Sequence, residues 1–102
     1  MTYRVRFTPG AEDDLLRLYA FMLERDATDW ALAERALAAI RAAMVTLEQF
    51  PFTCRKVSID SPFLRELLIP FGASGYVALF EIEDAETVAI LAVRHQRESD
   101  YH

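Results

Sequence analysis

At Phe50-Pro51 the hydrophobic period of the chain changes, and that change restricts the folds open to it. Before this point apolar residues recur as on a helix; after it they alternate or run together as in strands. Trp30, Ala33, Leu37, Ile40, Met44 and Leu47 fall three or four residues apart, which puts them on one helical stripe. Ala31, Ala36, Ala38, Ala39, Ala42 and Ala43 flank it with small side chains that favour a helix and allow close approach by another. Pro51 stops this helix, because it disfavours helical geometry at Phe50. An earlier helix carries Leu15, Leu18, Tyr19 and Met22 on one side and should end near Arg25-Asp26. Thr8 can cap its start, Pro9 fits its first position, and Glu12, Asp13 and Asp14 oppose the positive end of its dipole. So few residues separate the two helices that they fold back as an antiparallel hairpin.

Ahead of the hairpin, Tyr3, Val5 and Phe7 alternate with Arg4 and Arg6, a half-buried strand whose place in the sheet stays open. Phe52 to Phe63 reads as a long, mostly irregular connection. Leu64 to Ile69 is strand-like, and Pro70 to Gly75 makes a turn. Tyr76 to Ile82 alternates, with Tyr76, Ala78, Phe80 and Ile82 on one face. Thr87 to Val93 is nearly all apolar, as in a strand covered on both sides or central in its sheet. The expected order is β-α-α-β-β-β: an α+β domain with a helical hairpin packed on one face of a small, mainly antiparallel sheet. Its other face has no covering layer, and Tyr76, Phe80 and the apolar positions of Thr87 to Val93 predict a surface that calls for a partner.

A chain of 102 residues with 53% apolar composition fits one domain, residues 1–102, with a thin core. Lys and Arg number 11 against 16 Asp and Glu, a net charge of −5. Binding to nucleic acid through phosphates normally needs a basic excess, so no stable nucleic-acid complex is expected. The single Cys54 excludes an intrachain disulfide and points to a reducing compartment. The first residues have no apolar stretch of signal-peptide type, and no run is long enough to span a membrane. A cytoplasmic protein without membrane contact is the expectation.

No phosphate loop, CxxC, HExxH or nucleophile elbow occurs. Cys54, His95 and His102 are too few and scattered for a metal site, and no cofactor is expected. Cys54 reads as a small packed residue. The informative stretch is the end, where Val93 runs into Arg94-His95-Gln96-Arg97-Glu98-Ser99-Asp100-Tyr101-His102. Arg94, His95 and Arg97 lie near one strand tip, with Arg65 placed to face them from the neighbouring strand. The patch is either an anion site, with His95 or Tyr101 for proton transfer, or a solvated strand end with ion pairs to Glu66, Glu98 and Asp100. Chemistry alone favours the second, since exposed charge clusters are often idle.

The element order, the segment Leu64-Arg-Glu-Leu-Leu-Ile-Pro-Phe-Gly-Ala-Ser-Gly-Tyr76 and the ending Ile90-Leu-Ala-Val-Arg-His-Gln-Arg-Glu-Ser-Asp-Tyr101 resemble the RelE/ParE toxin superfamily of type II toxin–antitoxin operons, the ParE branch above all. The resemblance covers essentially the whole chain and implies one fold with two activities. ParE-like members poison DNA gyrase and do no chemistry; RelE-like members cut mRNA on the ribosome. It implies Arg65, Arg94, His95 and Arg97 as target- or anion-binding residues, and Arg65, His95 and Tyr101 as the catalytic set of a nuclease. The basic residues of nucleolytic members are reduced here to Arg55, Lys56, Arg94 and Arg97, and Glu66 should point away from Arg65. Those departures, with the acidic charge, favour gyrase over ribosomal RNA. The implied partner is a ParD-like antitoxin that folds along the toxin, with Leu16, Phe21 and Phe80 as candidate contacts. A module that binds antitoxin without toxicity is the third reading.

Overall fold

The computed structural model describes residues 2–25, 30–72 and 74–96. Strand β1 (Arg4–Phe7) leads into α1 (Pro9–Arg25), and α2 (Trp30–Gln49) follows. After a 3-10 turn at Pro51–Thr53 come β2 (Arg55–Ser58), β3 (Ser61–Phe71), β4 (Ser74–Ile82) and β5 (Thr87–His95). The sheet order is β1-β5-β4-β3-β2, with β1 parallel to β5 and the other pairs antiparallel. The helical hairpin carries the chain from one edge of the sheet to the other, and three short connections bring it back beside β1.

Thr8 joins the first two elements. Its Oγ1 accepts the Ala11 N–H at 3.2 Å, capping α1, and donates to the Ile90 carbonyl at 2.9 Å. The start of α1 is therefore fixed to the middle of β5. Ala11 and Leu18 from α1, and Ala36, Ile40, Met44 and Leu47 from α2, pack on Ile69, Tyr76, Ala78, Phe80, Ile82, Val88, Ile90 and Val93. Both helices thus lie on one face of the sheet. Ala33, Ile40, Met44 and Leu47 of the expected α2 stripe are buried and Ala36 joins them, while Trp30, the first residue of the helix, is exposed.

Three expectations are corrected. The stretch from Phe52 to Phe63 contains the edge strand β2, paired to β3 through Arg55–Glu66 and Lys56–Arg65. All residues of β2 are exposed, so it has no hydrophobic alternation to display. Strand β3 continues through Pro70 to Phe71, past the extent of β2, where it forms the sheet edge and tolerates proline. Phe80 is 0% exposed beneath the helices and Tyr76 is buried on the same face, so neither supplies the open side of the sheet.

The β4–β5 ladder shifts register between Leu79 and Phe80: Leu79 pairs with Ala92 and Phe80 with Ile90, leaving Leu91 as the extra residue of a bulge. The bulge resets the alternation of β5, so that Val88 and Ile90 point inward before it and Val93 and His95 after it. At the β3–β4 turn Gly72 has φ of +61°, where other residues are strained. Gly75 lies against β3: a Cβ there would stand 2.2 Å from the Ile69 carbonyl oxygen.

Candidate partner-binding surfaces

Strand β1 stops at Phe7, and beyond it the edge of β5 is taken by α1. Here Asp14 Oδ2 accepts the Val93 N–H at 2.9 Å, and its Oδ1 lies 2.5 Å from Arg94 Nη1 and 2.8 Å from Arg17 Nη2. Burial alone pushes the Asp14 carboxyl up, but the bonds from Arg94, the Val93 N–H and Arg17 outweigh it and hold it below the ordinary carboxylate range. From the sequence alone, Asp14 has the role of helix-start electrostatics. The available signal was its position, three residues after Ala11 and four before Leu18, on the stripe that packs against the sheet.

Arg65 does not face Arg94. It pairs with Phe80, which pairs with Ile90, so β4 and several residues of β5 separate it from the strand tip. Its guanidinium is turned inward: Nε donates to the Pro62 carbonyl at 2.9 Å, and Nη1 to those of Phe52 and Cys54 at 2.9 and 2.8 Å. It also stacks 5.2 Å from the Phe52 ring centroid. These contacts make Arg65 a clamp that fixes the turn after α2 to β3. Cys54 packs beside it, and burial pushes its thiol up, which keeps it an inert packing residue. Glu66 lies on the other face and bonds Arg55 at 2.7 Å.

Exposed apolar residues occur at several places among the described residues, and three of these hold Leu16, Phe21 and Leu68. Leu16, 69% exposed, borders a groove of about 300 Å³ between the helices, with Leu15, Tyr19, Leu37 and Ile40 as walls and Glu34 and Arg41 at its margin. Phe21, 55% exposed, lies on another side of α1 and borders a smaller pocket with Leu18, Tyr76 and His95. The third is the sheet face turned from the helices. By register it presents Leu64, Val77 and Leu79, with Glu66 and Glu81, around the 46% exposed Leu68. Near this face Arg6 makes a two-pronged pair with Glu83, at 3.0 and 2.6 Å.

Arg97 and Tyr101 lie outside the described residues. Among the described residues no group of three His, Cys, Asp or Glu side chains is assembled to hold a metal, and no helix is long and apolar enough to cross a membrane.

Residues 5–100 match the family described as the ParE toxin of the type II toxin–antitoxin system, parDE. The chain is 34% identical over 82 residues to Toxin RelE1 of Caulobacter vibrioides, a match spanning 80% of this chain and 82% of that protein. Its fold is similar to that in a chromosomal ParDE toxin–antitoxin system from P. aeruginosa, with a TM-score of 0.72 and 18% identity over 92% of this chain and 96% of that one. It is also similar to a chain of the RelBE2 toxin–antitoxin complex of Mycobacterium tuberculosis, with a TM-score of 0.61 and 26% identity over 94% and 100%. With two helices on one side of a five-stranded, mostly antiparallel sheet and a family match over nearly its whole length, the chain belongs to the ParE toxin family of type II toxin–antitoxin systems, within the RelE/ParE superfamily.

Proposed function

We propose that this toxin acts by binding a protein, DNA gyrase, and is neutralised by a ParD-like antitoxin laid along the helical hairpin. The observation that carries the reading is how the arginines are used. Arg6, Arg55 and Arg94 are bonded to Glu83, Glu66 and Asp14, and Arg65 is committed to backbone carbonyls. The open sheet face between them is apolar at its centre. Docking on ribosomal RNA draws its affinity from protein cations that neutralise phosphates and release their counterions, and this face offers few. An apolar face with a paired-charge border suits a protein surface. The groove beside Leu16 suits an amphipathic helix, so Leu16 is a first antitoxin contact. Phe80 is withdrawn as a contact because it is sealed in the core.

The second reading is ribosome-dependent mRNA cleavage, and similarity to a relative named Toxin RelE1 favours it. It would rest on His95 and Tyr101 for proton transfer. Two assays separate the readings. Purified gyrase should lose supercoiling activity and accumulate cleaved DNA when the toxin is added. Cutting of ribosome-bound mRNA that His95→Ala abolishes would establish the nuclease instead. If neither occurs while antitoxin binds, the chain is a non-toxic module.

A further inference from the structure

A cleft of about 410 Å³ opens where α2 finishes and the β4–β5 turn begins, at the opposite end of β4 from His95. Tyr3 lines it from just ahead of β1, Phe52 from the 3-10 turn, Phe63 from β3 and Ile82 from the end of β4, with Glu83 and Asp84 at the turn. Phe52 and Phe63 meet edge-on at a centroid distance of 6.2 Å, yet they are 48% and 52% exposed. The volume is more than twice the ~150 Å³ that holds one benzene ring, so the cleft has room for the longest side chains.

Three features make the cleft favour positive charge. Aromatic rings present negative faces to a cation, and Phe52 already carries the Arg65 guanidinium 5.2 Å from its ring centroid. The negative end of the α2 dipole lies here: the Tyr3 N–H donates to the Glu48 carbonyl at 2.7 Å, and the last turn of α2 has no basic residue to offset it. The third feature is Asp84. Arg6 neutralises Glu83 through two bonds, whereas Asp84 accepts the Glu86 N–H at 2.8 Å and pairs with no cation among the described residues.

We infer that this cleft docks a segment of a partner polypeptide by taking in one of its arginine side chains. The apolar stem of arginine suits the Phe63 and Ile82 walls, and its head suits the acidic rim of a chain whose net charge is −5. Arginine is favoured over lysine because a planar guanidinium both stacks on rings and forks onto a carboxylate. The cleft shares no residue with the groove beside Leu16 or the pocket beside Phe21. Its preference for arginine is therefore the same whether gyrase, the ribosome or neither is the target.

The test is NMR titration of the full chain with a capped Gly-Arg-Gly tripeptide and with its citrulline counterpart, in which a neutral urea replaces the guanidinium. The arginine peptide should shift the resonances of Tyr3, Phe63 and Asp84 and bind about fivefold more tightly than the citrulline peptide. Asp84→Asn keeps an oxygen for the Glu86 N–H, so thermal unfolding should be unchanged while the preference falls to about twofold. Arg6→Gln frees Glu83 and should raise the preference. No binding, equal binding of the two peptides, an unchanged preference in Asp84→Asn, or shifts confined to other parts of the chain would overturn the assignment. A lysine tripeptide bound as tightly as the arginine one would overturn the choice of arginine. Sedimentation of the chain alone completes the test: a dimer that Asp84→Asn dissociates would give the cleft to a second copy and overturn the partner, whereas a monomer supports it.

Discussion

Asp14→Asn removes one charge and little else. The amide keeps the shape of the carboxylate and an oxygen able to accept the Val93 N–H, now 2.9 Å from Asp14. What changes is the position of Arg94, whose side chain is only 10% exposed and whose carboxylate partner would be gone. Removing one member of a buried ion pair costs about 3–5 kcal/mol, chiefly because the remaining charge stays buried without compensation. Retention of the backbone bond places this variant at the lower end, about 3 kcal/mol. In a domain of this size each kcal/mol moves Tm by about 4–8 °C, so urea and thermal unfolding both resolve the effect. Asp14→Asn combined with Arg94→Met removes both charges of this buried pair and should recover part of the loss. The dependence on pH follows from the lowered Asp14 pKa. Its contribution is fully present above the unfolded carboxyl value of about 4 and is lost as pH falls through the lower folded value. The stability gap between the unmodified chain and Asp14→Asn should therefore be constant near neutrality and narrow below about pH 4. A single variant that loses less than about 1 kcal/mol, or a double variant no more stable than it, would refute the lock.

Other consequences are more local. Arg65→Lys supplies one compact ammonium where a planar fork reaches three carbonyls, so unfolding should show a loss of about 2 kcal/mol, with no change in toxic activity per folded molecule. A loss of activity without a loss of stability would return Arg65 to a binding role. Gly75→Ala puts a methyl group 2.2 Å from the Ile69 carbonyl oxygen and should open the end of the β3–β4 hairpin, seen as faster amide exchange at Tyr76 and Val77. Thr8→Val removes both the α1 cap and the bond to Ile90, and calorimetry should register about 1–2 kcal/mol.

The elements legible in the sequence were those whose burial follows a simple period. Tyr76, Ala78, Phe80 and Ile82 alternate and are all buried, and Thr8-Pro9 announced the start of α1. Strand β2 was invisible because nothing in it is buried. The inward position of His95 was hidden for a different reason. A bulge at Leu91 shifts the alternation by one, and no local residue pattern marks it. Arg65 and Arg94 stood out as charges in apolar surroundings, which is what a binding arginine and an arginine satisfied by its own fold have in common. Only tertiary partners tell them apart, and those partners, Cys54 and Asp14, lie 11 and 80 residues away in the chain.

This use of arginine bears on function as well as stability. A small α+β domain with a thin core must fix the first half of α1 and the turn after α2 without a disulfide, and here arginines do both, through Asp14 and through the carbonyls around Arg65. Arg65 and Arg94, employed in this way, are withdrawn from the surface, so they add little to the basic character the chain displays. Among the described residues, the apolar surfaces open to recognition include the groove between the helices, the pocket beside Phe21 and the leucine-centred sheet face. A member of this superfamily built to grip RNA would need its cations free and clustered, and the packing that stabilises this chain works against that arrangement.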